Sequence, residues 1–295
     1  MTDERRLLVS FSGGETSAFM TKWILDNWKN RYDDIQVVFA NTGQENEETL
    51  EFVDRCDEKF GFNVTWVESV VDPELGKGTT HRVVDFFTAD REGQVFESVI
   101  QKYGIPNSSF PHCTRELKLK PITSFCRSIG WKSGTYDTAI GIRVDEIDRM
   151  SAKKDEYRFL YPLVSEVPMT KPDVNTWWRN QEFRLELKGY EGNCKWCWKK
   201  TLRKHYTLAK QSLSIYDFPM EMEDKYPTAG RGEGPRVFFR SNRDTRDVLL
   251  GSLGDFEEFH DDSTIYNSEL DAPGGTCTEQ CDAFSNDSDL EQVGF

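Results

Sequence analysis

Short β-branched or aromatic runs, RLLVSF at 6–11 and IQVVFA at 35–40, read as buried strands. Beside them, ETSAFMTKWILDNWKN (15–30) and NEETLEFVDRCDEKFG (46–61) place apolar residues three and four apart, as a helix with one buried face does. The second of these closes at Gly61, a helix-stop residue. FNVTWVES (62–69) reads as a third strand. Strand, helix, strand, helix, strand predicts parallel pairing with right-handed crossovers, hence a doubly wound, mainly parallel α/β sheet of Rossmann-like type. Residues 71–111 are less regular, with a helix predicted in GQVFESVIQKYG (93–104), and read as an insertion over the sheet edge. A helix over 114–129 precedes a further strand, YDTAIGIR (136–143). After Pro162 the pattern loosens into aromatic, Pro- and Gly-rich segments. The expected organisation is a nucleotide-binding domain over 1–215 and an irregular acidic extension over 216–295 that packs on it.

The chemistry begins in SFSGGETS (10–17). The stretch follows a buried-type strand and opens a helix, so its backbone N–H groups face the carboxyl end of a parallel sheet, where anions bind. Gly13 and Gly14 allow positive φ and close backbone approach, and the hydroxyls of Ser12, Thr16 and Ser17 can donate to phosphate oxygens. No lysine follows in the manner of a Walker A loop, which excludes an ordinary P-loop nucleotidase. A tight turn with a hydroxyl helix cap is the competing reading.

At 295 residues, 37% hydrophobic and 13% aromatic, the chain can bury a sizeable core. With no apolar run near the ~20 residues of a membrane span and no secretory pattern at its start, it reads as cytoplasmic. The net charge of −14 is concentrated: residues 254–295 hold twelve acids and no Lys or Arg, and with those set aside 39 acids face 37 bases. Such a tail opposes binding to a nucleic-acid backbone by this chain alone. A local basic stretch, 171–210, carries ten Lys or Arg against four acids and contains Trp177, Trp178, Trp196 and Trp198. It reads as a solvated face, with phosphate contacts and base stacking as the alternative.

SGGxxS after the first strand resembles the signature of the PP-loop superfamily, which includes ATP pyrophosphatases and the PAPS and APS reductases. Three later stretches resemble it in order: ANTGQENEETLEFV (40–53), CTRELKLKP (113–121) and IGIRVDEIDR (140–149). The resemblance implies an adenine nucleotide α-hydrolase-like fold with nucleotide phosphates on Ser12, Gly13, Gly14, Glu15, Thr16 and Ser17. It implies adenine near Asn41, Thr42 and Gly43, and Arg143 and Arg149, in the loop that opens at Gly141, at the reacting end. The residue types agree: Thr42 and Gly43 end the second strand beside the glycine loop, and each arginine offers a bidentate fork for phosphate or sulfate. Lys118 and Lys120 add point charges. Asp145 and Glu146 are candidate ligands for a phosphate-bridging Mg²⁺, or else ion-pair partners of the arginines.

Seven cysteines, two of them in GNCKWCWKK (192–200), point to metal or redox chemistry in a chain without a secretory signal. Cys56 and Cys126 fall on apolar helical faces and read as inert thiols. For the others two metal readings compete. The resemblance to APS reductases implies a four-iron four-sulfur cluster on Cys113, Cys194 and Cys197; His112 stands where the family has a further cysteine, so the fourth position is open or filled by Cys277, Cys281 or His112. Alternatively, Cys194, Cys197, Cys277 and Cys281 form a complete thiolate set for structural Zn²⁺. The acids Glu279 and Asp282 would raise a neighbouring thiol's pKa, which favours Cys277 and Cys281 as ligands over a reductase-type nucleophile.

Two reactions follow from these expectations: cleavage of ATP to AMP and pyrophosphate with adenylation and sulfur transfer, or reduction of a sulfonucleotide by a thiol or sulfur donor protein. A nucleotide-sensing protein without turnover, and sulfur modification of a nucleic acid brought by a partner, are the alternatives.

Overall fold

The computed structural model describes residues 4–74, 76–230, 234–260, 283–284 and 286–294. Its framework is a six-stranded sheet in the order β4-β3-β2-β1-β5-β6. The strands are β1 (Arg6–Ser10), β2 (Asp34–Asn41), β3 (Thr65–Val71), β4 (Thr79–Val84), β5 (Asp137–Ala139) and β6 (Phe159–Leu160). All neighbours pair in parallel except β3 with β4. In β1 the pleat sends Leu7 and Val9 into one core and Leu8 into another. That is why the strand shows no polar alternation: both faces of the central sheet are covered.

Helices α1 (Glu15–Asn27) and α2 (Glu47–Phe60) supply the first core through Met20, Ile24, Leu50 and Val53. Gly61, with φ +64°, ends α2 in the left-handed region. The irregular stretch over 71–111 holds β4, the antiparallel edge strand, and α3 (Gln94–Tyr103). The helix expected over 114–129 divides into a π-helical turn, Arg115–Leu119, and α4 (Lys120–Ser128), which covers the second core. The strand expected over 136–143 contracts to the three residues of β5, because the chain leaves the sheet at Ile140 towards the arginine loop.

Short α5 (Pro162–Ser165) and α6 (Lys171–Arg179) pack on α1. Downstream, α7 (Leu202–Gln211), α8 (Asp217–Lys225) and α9 (Thr245–Ser252) build a third core with α3, so the region after 216 is more helical than its composition predicts. The chain then returns to the sheet. Phe284 is buried with its ring centroid 5.7 Å from that of Phe159, and α10 (Asp287–Val293) is tied by Asp289 to Arg115 at 3.2 Å and by Asp287 to the Ser151 hydroxyl at 2.6 Å.

Candidate nucleotide site

At the carboxyl end of β1 the chain turns through Gly13 at φ +81°, and Gly14 caps α1 without a side-chain cap. The thirteen-residue helix therefore presents its positive end to whatever occupies the loop. Ser17 Oγ donates to Gly14 O at 3.0 Å and lies 2.9 Å from Ser12 Oγ, so both hydroxyls are gathered inside the loop. Glu15 turns away: its carboxylate accepts from Arg184 at 3.0 and 3.1 Å, and its carbonyl accepts from Trp178 Nε1 at 2.9 Å.

The arginine loop docks directly on this turn. Gly141 permits it, since a Cβ there would lie 3.2 Å from Ser17 Cα. Arg143, 3% exposed, donates from Nη1 to Thr16 Oγ1 at 3.1 Å and from Nε to Asp145 at 3.0 Å. Its Nη1 also lies 3.3 Å from Glu146, which pairs in turn with Arg149. Asp145 and Glu146, candidates for Mg²⁺, are thus engaged by guanidinium groups, the ion-pair alternative read from the sequence.

Beside the loop, Ser10, Ser12, Ala40, Lys118, Ile122 and Ala283 line a small cleft, the last contributed by the returning C-terminal segment. Lys118 reaches it from the π-helical turn. That turn is anchored by its neighbour Glu116, fully buried, which accepts from Thr79 at 2.6 Å, from Lys120 at 2.8 Å and from Arg115 at 2.9 Å. Burial alone would raise the Glu116 pKa, but these donors outweigh it and hold the carboxyl below its ordinary value. Lys120 therefore serves the anchor.

The expected base-binding turn is preformed. Asn41 donates to Glu68 at 2.6 Å and to Asp90 O at 2.8 Å, and its own oxygen accepts from Gly43 N at 3.2 Å. The Thr42 backbone and hydroxyl both donate to Glu45, at 2.9 and 2.8 Å. Gly43, at φ +80°, leaves a Cβ no room, since Asp90 Oδ2 would be 2.4 Å away. The Asn41 and Thr42 side chains shape the turn, and the amides of Thr42 and Gly43 are already engaged within it. Glu45, Glu68 and Asn193 were missed from the sequence; Glu45 lies inside ANTGQENEETLEFV and Asn193 sits beside the first cysteine of the CxxC, which was the available signal.

The cysteines divide. Cys56 and Cys126 are buried, and burial pushes both thiols well up. Cys194 and Cys197 form a turn with Cys197 N 3.5 Å from Cys194 O, and Cys197 is buried. Cys113 packs beside the third core. Among the described residues no group of three His, Cys, Asp or Glu side chains forms a metal site. Cys277 and Cys281 lie outside the described residues, as do Glu279 and Asp282.

His112 is buried, with Nε2 donating to Gly104 O at 3.0 Å, and burial lowers its pKa to about 4. The unfolded chain then binds a proton near pH 6.5 that the folded chain resists until about pH 4, so stability falls as pH drops through that window. The expected loss is about 3 kcal/mol between pH 7 and 4. Urea unfolding at the two pH values should show it, and the His112→Gln variant should lack that part of the slope.

Of the tryptophans offered for base stacking, Trp178, Trp196 and Trp198 are core residues, buried among Phe52, Phe96 and Phe238 and their neighbours. They are not available to a nucleic acid.

Residues 6–77, which run from β1 through β3 and carry the glycine loop and the base turn, match the family model of the phosphoadenosine phosphosulfate reductase domain. This stretch, about a quarter of the chain, is similar to that family. The PP-loop resemblance is therefore borne out, and with it the mostly parallel, Rossmann-like sheet. Beyond the reductase-like region, the chain is similar along its whole length to the uncharacterized nin region protein ORF290 of Escherichia phage lambda: 29% identical over 290 residues, 96% of this chain and 97% of that protein. Two uncharacterized proteins of Methanocaldococcus jannaschii are 26% identical over 118 residues and 25% over 158 residues, spans that cover 40% and 54% of this chain but only 22% and 27% of theirs. Lys118, Arg143 and the CxxC lie outside the residues matched to the reductase domain. No helix among the described residues is long and apolar enough to cross a membrane.

Proposed function

We propose that this protein is an enzyme that binds an adenine nucleotide, ATP or a sulfonucleotide, and acts where a nucleotide-linked oxyanion departs. The observation that carries the reading is the 3.1 Å bond from Arg143 to Thr16, which fixes a buried guanidinium on the glycine loop at the positive end of α1. Both candidate reactions make the same demand. In adenylation an acceptor oxygen attacks the α-phosphorus, and pyrophosphate leaves with the electrons of the broken P–O bond. In sulfonucleotide reduction a donor thiolate attacks the sulfate sulfur, and the nucleotide leaves with the electrons of the S–O bond. Each leaving group gains negative charge, and donors held in advance lower the barrier. The loop amides, Ser12 and Ser17, Lys118, Arg143 and Arg149 are suited to that task, and Mg²⁺ would enter with the nucleotide, bound through its phosphates. No step is assigned to iron, and the thiol comes from a separate donor.

Calorimetric titration with ATP, adenosine phosphosulfate, phosphoadenosine phosphosulfate and GTP tests the reading. Adenine nucleotides should bind at least tenfold more tightly than GTP, and incubation should then release pyrophosphate from ATP or, with a thiol, sulfite from a sulfonucleotide. Absence of binding by all four would overturn the proposal; binding without either product would leave a nucleotide sensor.

A further inference from the structure

The CxxC is not remote from the nucleotide loop, because the segment leading into it is bonded to both walls of the site. Asn46 Nδ2 donates to Gly192 O at 2.8 Å and the Asn46 amide to Asn193 O at 2.8 Å. The Lys195 amide donates to Gln44 O at 3.0 Å, and Trp196 Nε1 to Gln44 Oε1 at 2.6 Å, while Cys194 makes a β-bridge with Glu45. The Asn193 side chain goes the other way, donating from Nδ2 to Ser12 O at 2.7 Å. That orientation is forced by the partner: a flipped amide would set oxygen against a carbonyl. Asn193 is 5% exposed and its Oδ1 meets no hydrogen-bond donor among the described residues, so the bond to Ser12 is what fixes its side chain there. On the far side, Lys200, 1% exposed, donates to the carbonyls of Cys194 and Lys195 and holds the turn in place.

We propose that Asn193 is a positioning residue through which the turn of Cys194 and Cys197 sets the geometry of the glycine loop. One bond separates Ser12 from the residue preceding Cys194, so a change in the cysteine turn displaces Asn193 and with it the loop carbonyl. By reciprocity, nucleotide on the loop alters the chemistry of the cysteine pair. The consequence for affinity rests on the nucleotide reading above; the mechanical link does not.

The test uses the full chain as wild type, Asn193→Ala, Asn193→Asp, Gln44→Leu and the Cys194→Ser/Cys197→Ser double variant. Amide exchange of residues 12–17 is measured by mass spectrometry without nucleotide, and ATP affinity by calorimetry. Asn193→Asp preserves shape but replaces the donor with an acceptor. It should therefore match Asn193→Ala, with loop exchange and the ATP Kd each shifted about tenfold, and Gln44→Leu should shift both in the same direction. The cysteine double variant should change the ATP Kd at least threefold, and that change should vanish in the Asn193→Ala background. An Asp variant behaving like wild type, or cysteine and Asn193 effects that simply add, would overturn the link. Altered loop exchange in a protein that binds no ATP would retain the link and remove the nucleotide reading; normal exchange with normal ATP binding would do the reverse.

Discussion

Replacing Arg143 with alanine is expected to lower nucleotide turnover by ~100- to 1000-fold, the usual consequence of deleting a preorganised donor at a developing anion. The residue is 3% exposed and spans Thr16, Asp145 and Glu146, so its removal also takes the guanidinium partner from Asp145 and leaves Glu146 to Arg149. Breaking a buried pair in this one-sided way costs about 3–5 kcal/mol. Lysine separates the two effects: it restores charge but cannot fork between Thr16 and Asp145, so Arg143→Lys should recover most of the stability and little of the turnover. Steady-state kinetics together with urea unfolding checks both. Turnover close to wild type in Arg143→Ala would remove the arginine from the reaction.

The second large effect is expected at Gly13. At φ +81° a side chain costs about 1–2 kcal/mol in backbone strain. A Cβ would also stand 2.9 Å from both Phe39 Cε2 and the buried Thr49 Cγ2 and 3.3 Å from Val53, with Phe39 and Val53 in the first core. Crowding of that kind adds about 1–3 kcal/mol, so Gly13→Ala should lose roughly 2–5 kcal/mol by chemical denaturation. Gly14 makes the contrast, because its φ of −104° is open to alanine and carries no such strain. A Gly13→Ala protein as stable as wild type would show that the turn accommodates a side chain by moving.

The central strands and helices were legible because their patterns are local: unbroken apolar runs where both sheet faces are covered, and three-four spacing where one helix face is buried. The glycine loop could be read for the same reason, since strand, turn and helix start all lie within a dozen residues. The edge strand β4 was not legible, since its exposed, polar-rich THRV stretch reads as loop and becomes a strand only by pairing with β3. The partners of Asp145 and Glu146 were undecidable from residue type alone: the same two carboxylates suit a cation or an arginine, and in the folded chain both lie against Arg143. Asn193 escaped notice because its partner Ser12 is 181 positions away, and no local pattern encodes such a contact. The cysteines were legible only as spacing: Cys113 packs against the same third core as Trp196 and Trp198, which flank the CxxC, and a contact across some eighty positions has no local signature.

Ala283 and Ser12 both line the cleft. A ribosome adding about 5–20 residues per second needs on the order of 10–60 s to travel from one to the other. During that time the glycine loop can already have folded on its strand and helix, yet the small cleft beside it lacks one of its lining residues. That lining is completed only after almost all of the rest of the protein has been made.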